Sequence, residues 1–226
     1  MRLIVASGNA HKIAEIAAMF RSGGLDTLDV VGMKSLGEPP EIVESARDFR
    51  GNALLKVQGI SRWLAQTGSC GGRTAADDWV LADDSGLCVH ALGGRPGVHS
   101  ARFAGEDATD QENNQRLVEE LQTQGLDASP GHYEVVLALG RVCTPLEAPP
   151  SIAVDRHKGV LLVSGRCDGE VRCTARGEGG FGYDPHFWVD DGARTFAELS
   201  QDQKAPRSHR GQAMRELITL LRRMER

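Results

Sequence analysis

The sequence predicts a layered α/β or α+β domain, and three observations carry that expectation. Segments whose apolar residues recur at helical spacing alternate with short β-branched runs, the pattern of a sheet layered with helices. The chain has 226 residues, enough for one large domain or two small ones with a proper core. Hydrophobic residues make up 40% and charged residues 25%, the balance of a globular protein and not of a disordered or fibrous one.

Taken in order, Arg2–Ala6 is apolar and β-branched and reads as a strand. Ser7-Gly8-Asn9 turns it into a helix with Ile13, Ile16, Ala17 and Phe20 on one side, Asn9 being the expected N-cap. A second helix is expected from Asp48 to Ala65, with Phe49, Ala53, Leu54, Val57, Ile60 and Leu64 together on one side. Trp79–Ala82 reads as a short buried strand running into Asp83-Asp84, and Leu87–Leu92 as another. Thr109 and Glu112 have capping-box spacing ahead of a helix carrying Leu117, Val118 and Leu121. Tyr133–Val142, Gly159–Arg166, Glu170–Ala175 and Phe187–Val189 read as strands. A helix from Ser208 closes the chain, with Ala213, Leu217, Leu220, Leu221 and Met224 as its apolar stripe. Gln66–Asp78 and Cys143–Lys158, rich in Gly, Ser, Thr or Pro, read as surface insertions. No linker is evident, so a single domain is the economical reading.

Composition also excludes. With 26 Lys+Arg against 31 Asp+Glu the formal charge is −5, which is not the electrostatic footprint of a nucleic-acid binder. A polyanionic ligand must therefore meet a few local cations. No apolar run approaches the roughly 20 residues of a membrane span, and Leu3–Ala6 is too short for the core of a secretory signal. Cys70, Cys88, Cys143, Cys167 and Cys173 are odd in number and contain no C-x-x-C pair. They read as the reduced thiols of a cytoplasmic protein, not as a disulfide frame or a zinc site.

Four segments carry chemistry. Ser7-Gly8-Asn9-Ala10-His11-Lys12 lies where a strand gives way to a helix, a place where backbone N–H groups and the helix dipole favour an anion. Lys12 opposes that dipole, so its position needs a reason. An ordinary βα turn with an exposed lysine is the plain alternative. The adjacent carboxylates of Asp83 and Asp84, followed by Ser85, repel each other and call for a cation. They read either as oxygen ligands for a hard ion such as Mg2+ or as a turn in which Asp and Ser bond the backbone. Gly177–Asp184 contains a formal G-x-G-x-x-G, but Pro185 and Phe187-Trp188-Val189 leave no helix for a dinucleotide. The loop fits better as a support for Phe181 or Tyr183 against a flat ring, or as a tight turn with a core Phe. Ser208-His209-Arg210, with Lys204 just before, either offers donors suited to a purine edge or simply opens a helix with basic residues.

Together these segments resemble the inosine triphosphate pyrophosphatase family. The resemblance covers nearly the whole chain and runs in the family's order: SGNAHKIAE, FRGNALLK, LADDSGLCVHALGGRPGVHSARFAG, GGFGYDPHF, and TFAEL with K-x-x-x-SHRGQA. It implies a mixed α/β fold with an elongated central sheet flanked by helices, two lobes with a cleft between them, and a homodimer. It also implies hydrolysis of ITP, dITP and XTP to the monophosphate and pyrophosphate with Mg2+. Carried over residue by residue, Ser7, Gly8, Asn9, Ala10, His11 and Lys12 line the triphosphate. Asp84 is the catalytic acceptor and a metal ligand, Asp83 a supporting acid, and Ser85 a substrate contact. Phe181, Gly182, Tyr183, Asp184, Lys204, His209 and Arg210 hold the nucleotide, chiefly its base. Many relatives carry two adjacent acids before the second helix; this chain has Glu41-Ile42-Val43-Glu44, and Glu44 is assigned as the second metal acid. Two other readings stand beside this one: a pyrophosphatase of modified pyrimidine or methylated nucleotides, and a nucleotide-binding regulator that does not hydrolyse.

Overall fold

The structure is a computed structural model and describes residues 2–67, 78–143, 155–157 and 159–224. The chain forms two compact units. The first comprises Met1–Asp84, Val136–Ser164 and Ala213–Arg226, the second Ser85–Val135 and Gly165–Gln212.

The first unit is built on β1 (Arg2–Val5), whose residues are all buried. It lies between two parallel neighbours, β2 (Asp29–Gly32) and the beginning of β3 (Trp79–Val89), with Ile4 opposite Val31 on one side and Val80 on the other. A parallel strand covered on both faces reads as a continuous apolar run, which is what Leu3, Ile4 and Val5 supply. Arg2 enters this setting only because Asp78 meets it: both are buried, and Arg2 Nε donates to Asp78 Oδ1 at 3.1 Å. Helix α1 (Ala10–Ser22) follows β1, and α2 (Phe49–Thr67) buries Phe49, Ala53, Leu54, Val57, Ile60 and Leu64, the stripe its spacing predicts.

The second unit holds α3 (Asp110–Thr123), which opens with the expected capping box: Glu112 N–H donates to Thr109 Oγ1, and Thr109 N–H to Glu112 Oε2 at 2.7 Å. Its core gathers Leu87, Leu117, Leu121, Tyr133, Phe187 and Phe196.

The strands β4 (Ala128–Arg141) and β6 (Val160–Arg172), like β3, run on from one unit into the other. With β5 (Asp155–His157), β7 (Phe187–Val189) and β8 (Arg194–Thr195), the hydrogen-bonded order is β2-β1-β3-β4-β6-β7-β8, with β5 on β6. The sheet is mixed: parallel around β1 and antiparallel along β5–β8. The short helix α4 (Gln201–Lys204) precedes α5 (His209–Met224), whose Ala213, Leu217, Leu220 and Leu221 are buried as expected while Met224 is half-buried.

Two expectations need correction. Trp79–Ala82 and Leu87–Leu92 are not separate strands: β3 runs unbroken through Asp83, Asp84, Ser85 and Gly86. Those residue types favour turns, but partners for both carboxylates let the strand continue. Likewise Gly159–Arg166 and Glu170–Ala175 join into β6, which ends at Arg172. Gly169 marks no break. A Cβ there would lie 2.6 Å from the carbonyl oxygen of Trp188, so glycine is what lets β7 approach. The two expected insertions and Cys70 lie largely outside the described residues, where only β5 and the flanking ends are seen. Among the described residues, no helix is long and apolar enough to cross a membrane.

Candidate active site

In the first unit the chain leaves β1 and Asn9 caps α1. The Asn9 side-chain oxygen accepts from the N–H groups of His11 (2.9 Å) and Lys12 (3.2 Å), and Ser7 Oγ accepts from Asn9 N–H at 3.1 Å. Part of the helix's N-terminal donor set is therefore satisfied locally. The first turn sets Lys12 so that its Nζ lies 2.5 Å from Asp83 Oδ1. That ion pair is the reason a lysine stands at the unfavourable end of the dipole.

Adjacent residues of a strand point to opposite faces, so Asp83 and Asp84 take different partners. Asp84 Oδ1 accepts from Lys56 Nζ at 2.6 Å, and the same ammonium lies 3.0 Å from Glu44 Oε1 and 3.3 Å from the carbonyl oxygen of Asp83. Sequence reasoning missed Lys56. Its signal was there: position 56 falls three residues after Ala53 and four before Ile60, inside the apolar stripe of α2, where a lysine needs a buried anion. Glu44, assigned from the sequence as the second metal acid, lies in the same group through Lys56, on a segment that Asn52 holds by accepting from the N–H of Ala46 at 2.9 Å.

The second oxygen of Asp84, Oδ2, is buried and has no hydrogen-bond partner. Burial pushes the Asp84 carboxyl up to about 6; the Lys56 and Lys12 charges oppose the rise, and Glu44 adds to it. Burial alone would lower Lys56, but the Asp84 and Glu44 carboxylates outweigh it and hold the ammonium above its ordinary range. Ser7, Gly8, Lys12, Glu44, Lys56 and Asp83 line a cavity of about 370 Å3. It is an anion-ready pocket, with ammonium groups for phosphate and carboxylate oxygens for a hard cation.

In the second unit the glycine-rich loop leads into no α-helix, as Pro185 and Phe187-Trp188-Val189 predicted; Asp184–His186 is a single 3-10 turn. Asp184 organises the loop. Its Oδ2 accepts from Phe181 N–H at 3.0 Å and from Lys204 Nζ at 2.5 Å, with both charged side chains about 95% buried (5% and 4% exposed). Gly180, at φ +76°, lies so close that a Cβ would stand 2.0 Å from that same oxygen. Gly182 N–H donates to Asp110 Oδ2 at 2.6 Å, tying the loop to α3.

Of the two aromatics considered for a flat ring, Tyr183 goes to the core, its hydroxyl donating to the Ser100 carbonyl at 2.8 Å. Phe181 stays half-buried, with Lys204 Nζ 5.0 Å and Arg210 Cζ 5.7 Å from its ring centre. Arg210 donates to Ser85 Oγ at 3.1 Å. The His209 ring stacks on Tyr133 at 4.8 Å and 9°. Lys204 and Arg210 thus both stand by the Phe181 ring, the first held by Asp184 and the second bonded to Ser85.

The Ham1 family model matches residues 3–220. A protein of Leuconostoc mesenteroides named dITP/XTP pyrophosphatase is 41% identical over 218 residues, 96% of this chain and 94% of that one. One of the same name from Geobacillus kaustophilus is 36% identical, over 95% of this chain and 91% of that one. Among solved structures, a HAM1 protein from Coxiella burnetii aligns over 98% of both chains with TM-score 0.77 and 33% identity. The Ham1 protein of Staphylococcus aureus does so over 98% of both with TM-score 0.72 and 30% identity. These matches bear out the resemblance drawn from the five segments: the chain belongs to the Ham1 family.

Proposed function

We propose that this protein hydrolyses ITP, dITP and XTP to the nucleoside monophosphate and pyrophosphate, removing non-standard purines from the nucleotide pool. The observation that carries the reading is the buried Asp84 carboxylate, one oxygen without a hydrogen-bond partner and the other held by Lys56, which with Glu44, Lys12 and Asp83 lines the neighbouring pocket. The names of the relatives at 36–41% identity supply the substrate class.

Asp84 and Glu44, joined through one ammonium and offering hard oxygen donors, fit Mg2+. When bound, the ion would neutralise phosphate charge and lower the pKa of a coordinated water. For the phosphate tail, the Ser7–Lys12 turn and the Lys12 and Lys56 ammonium groups supply positive charge where the leaving pyrophosphate develops its own. Asp84 orients the attacking water and accepts its proton as oxygen closes on the α-phosphorus, and Asp83 holds Lys12 in place.

For the base, Phe181 offers a ring face, and His209 and Arg210 offer donors; Asp184 keeps Lys204 and the loop in position. Hypoxanthine and xanthine carry an acceptor at position 6, where adenine carries an amino donor. Donor against donor leaves buried groups unpaired, a mismatch that gives discrimination on the order of 10⁴. A homodimer completes the reading, and light scattering tests it.

The experiment for the whole reading is a panel of nucleoside triphosphates with and without Mg2+. Monophosphate plus pyrophosphate, with ITP and XTP well ahead of ATP, is expected. Diphosphate plus phosphate overturns the reaction, and equal turnover of ATP overturns the specificity.

A further inference from the structure

Away from the nucleotide residues, the second unit assembles a different set of donors. Leu87, Val89 and Tyr133 point into the core, so Cys88 on β3 and His132 and Glu134 on β4 share the opposite face of two neighbouring strands. Their ligating atoms, a thiol sulfur, an imidazole nitrogen and a carboxylate oxygen, all lie within 4.8 Å of one another. Two features show that the group is not already satisfied by its own members. His132 Nδ1 is buried with no hydrogen-bond partner, and His132 Nε2 stands 3.8 Å from Glu134 Oε2, too far for a hydrogen bond.

We propose that Cys88, His132 and Glu134 form a second metal site, selective for a zinc-class divalent ion, with three protein ligands and an open fourth position. A thiolate with an imidazole is a borderline-soft donor set; it favours Zn2+, or Co2+ in its place, over the Mg2+ that an all-oxygen site selects. Around a tetrahedral ion the donors stand roughly 3.3–3.7 Å apart, so the side chains close by about 1 Å on binding. Thiolate, carboxylate and a divalent cation sum to zero charge, which suits a half-buried face.

The groups around Cys88 set what metal binding has to overcome. Burial, with Glu134 adding and Arg166 opposing, holds the thiol up to about 11, so the ion must displace the thiol proton to solvent as the metal–sulfur bond forms. Burial and then Arg166 hold His132 below its ordinary range against Glu134 and Asp168, with His90 also lowering it, leaving the imidazole neutral with a lone pair to give.

The site stands whether or not the chain hydrolyses nucleotides, and its test reads metal alone. Chelator-stripped full-length protein in Mg2+-containing buffer is titrated with Co2+, following the thiolate-to-cobalt charge-transfer band. Expected is one Co2+ per chain, displaced by Zn2+, with the band retained in Asp84→Asn. The band disappears in Cys88→Ser, and Co2+ affinity falls by roughly tenfold or more in His132→Gln and Glu134→Gln, each with wild-type circular dichroism. No thiolate band in the wild type, a band that survives Cys88→Ser, or unchanged affinity in both the His132 and Glu134 variants overturns the proposal.

Discussion

Lys56 Nζ lies 2.6 Å from Asp84 Oδ1, and the two belong to elements 28 residues apart in the chain. The pair joins α2 to the middle of β3, and through the same ammonium it captures Glu44 at 3.0 Å. It explains how a strand can hold two successive aspartates without breaking, and it leaves the second Asp84 oxygen buried without a hydrogen-bond partner.

Asp84→Asn is the direct test of the proposed chemistry. The amide keeps an oxygen for Lys56, so the thermal midpoint should stay close to the wild type. Turnover of ITP should drop by roughly 10²–10⁴, the contribution of a positioned proton acceptor. A continuous pyrophosphate-release assay reads this, and wild-type kcat in a folded variant would count against the assignment.

Lys56→Met should act chiefly on stability. It leaves Asp84 and Glu44 facing each other with their shared cation gone, and breaking a buried pair from one side costs about 3–5 kcal/mol. Glu44 is the more exposed partner, at 28% against 7% for Asp84, so Glu44→Gln should cost much less. Urea midpoints of the two variants, measured side by side, decide the point.

Arg210→Ala should damage base selection more than phosphate chemistry. The guanidinium is buried, bonded to Ser85 and set beside Phe181. Losing one buried donor to the base should lower the ITP-to-ATP preference in kcat/KM by roughly 10–100-fold. An unchanged preference with a lower kcat for both substrates would place Arg210 elsewhere in the reaction.

Acid should weaken the second unit through His186. Burial holds this imidazole below its ordinary value, only partly countered by its bond to the Arg172 carbonyl, 2.8 Å from Nδ1. The fold therefore favours the neutral ring. Above the unfolded value of about 6.5 both states are neutral and stability is unaffected; as pH falls through that value the unfolded chain takes the proton first, and stability declines. Denaturation midpoints should fall more steeply from about pH 6.5 down to pH 5.5 in the wild type than in His186→Gln.

What could be read from the sequence is what short-range chemistry decides. The Asn9 cap, the Thr109–Glu112 box and the apolar stripe of α2 are interactions between residues two to four apart, so spacing alone fixes them. The family and most residues around Phe181 were legible for a related reason: long motifs tie residue type to position. What only the tertiary structure decided are the long-range ion pairs and the strands they permit. Asp83 and Asp84 could be read as ligands of a hard ion or as a turn, because nothing nearby in the chain neutralises them; Lys12 and Lys56 do so from 71 and 28 residues away. Arg2 and Asp78, 76 residues apart, are the same case. A buried charge is tolerable only when its partner arrives, and arrival is a property of the fold, not of the neighbouring sequence.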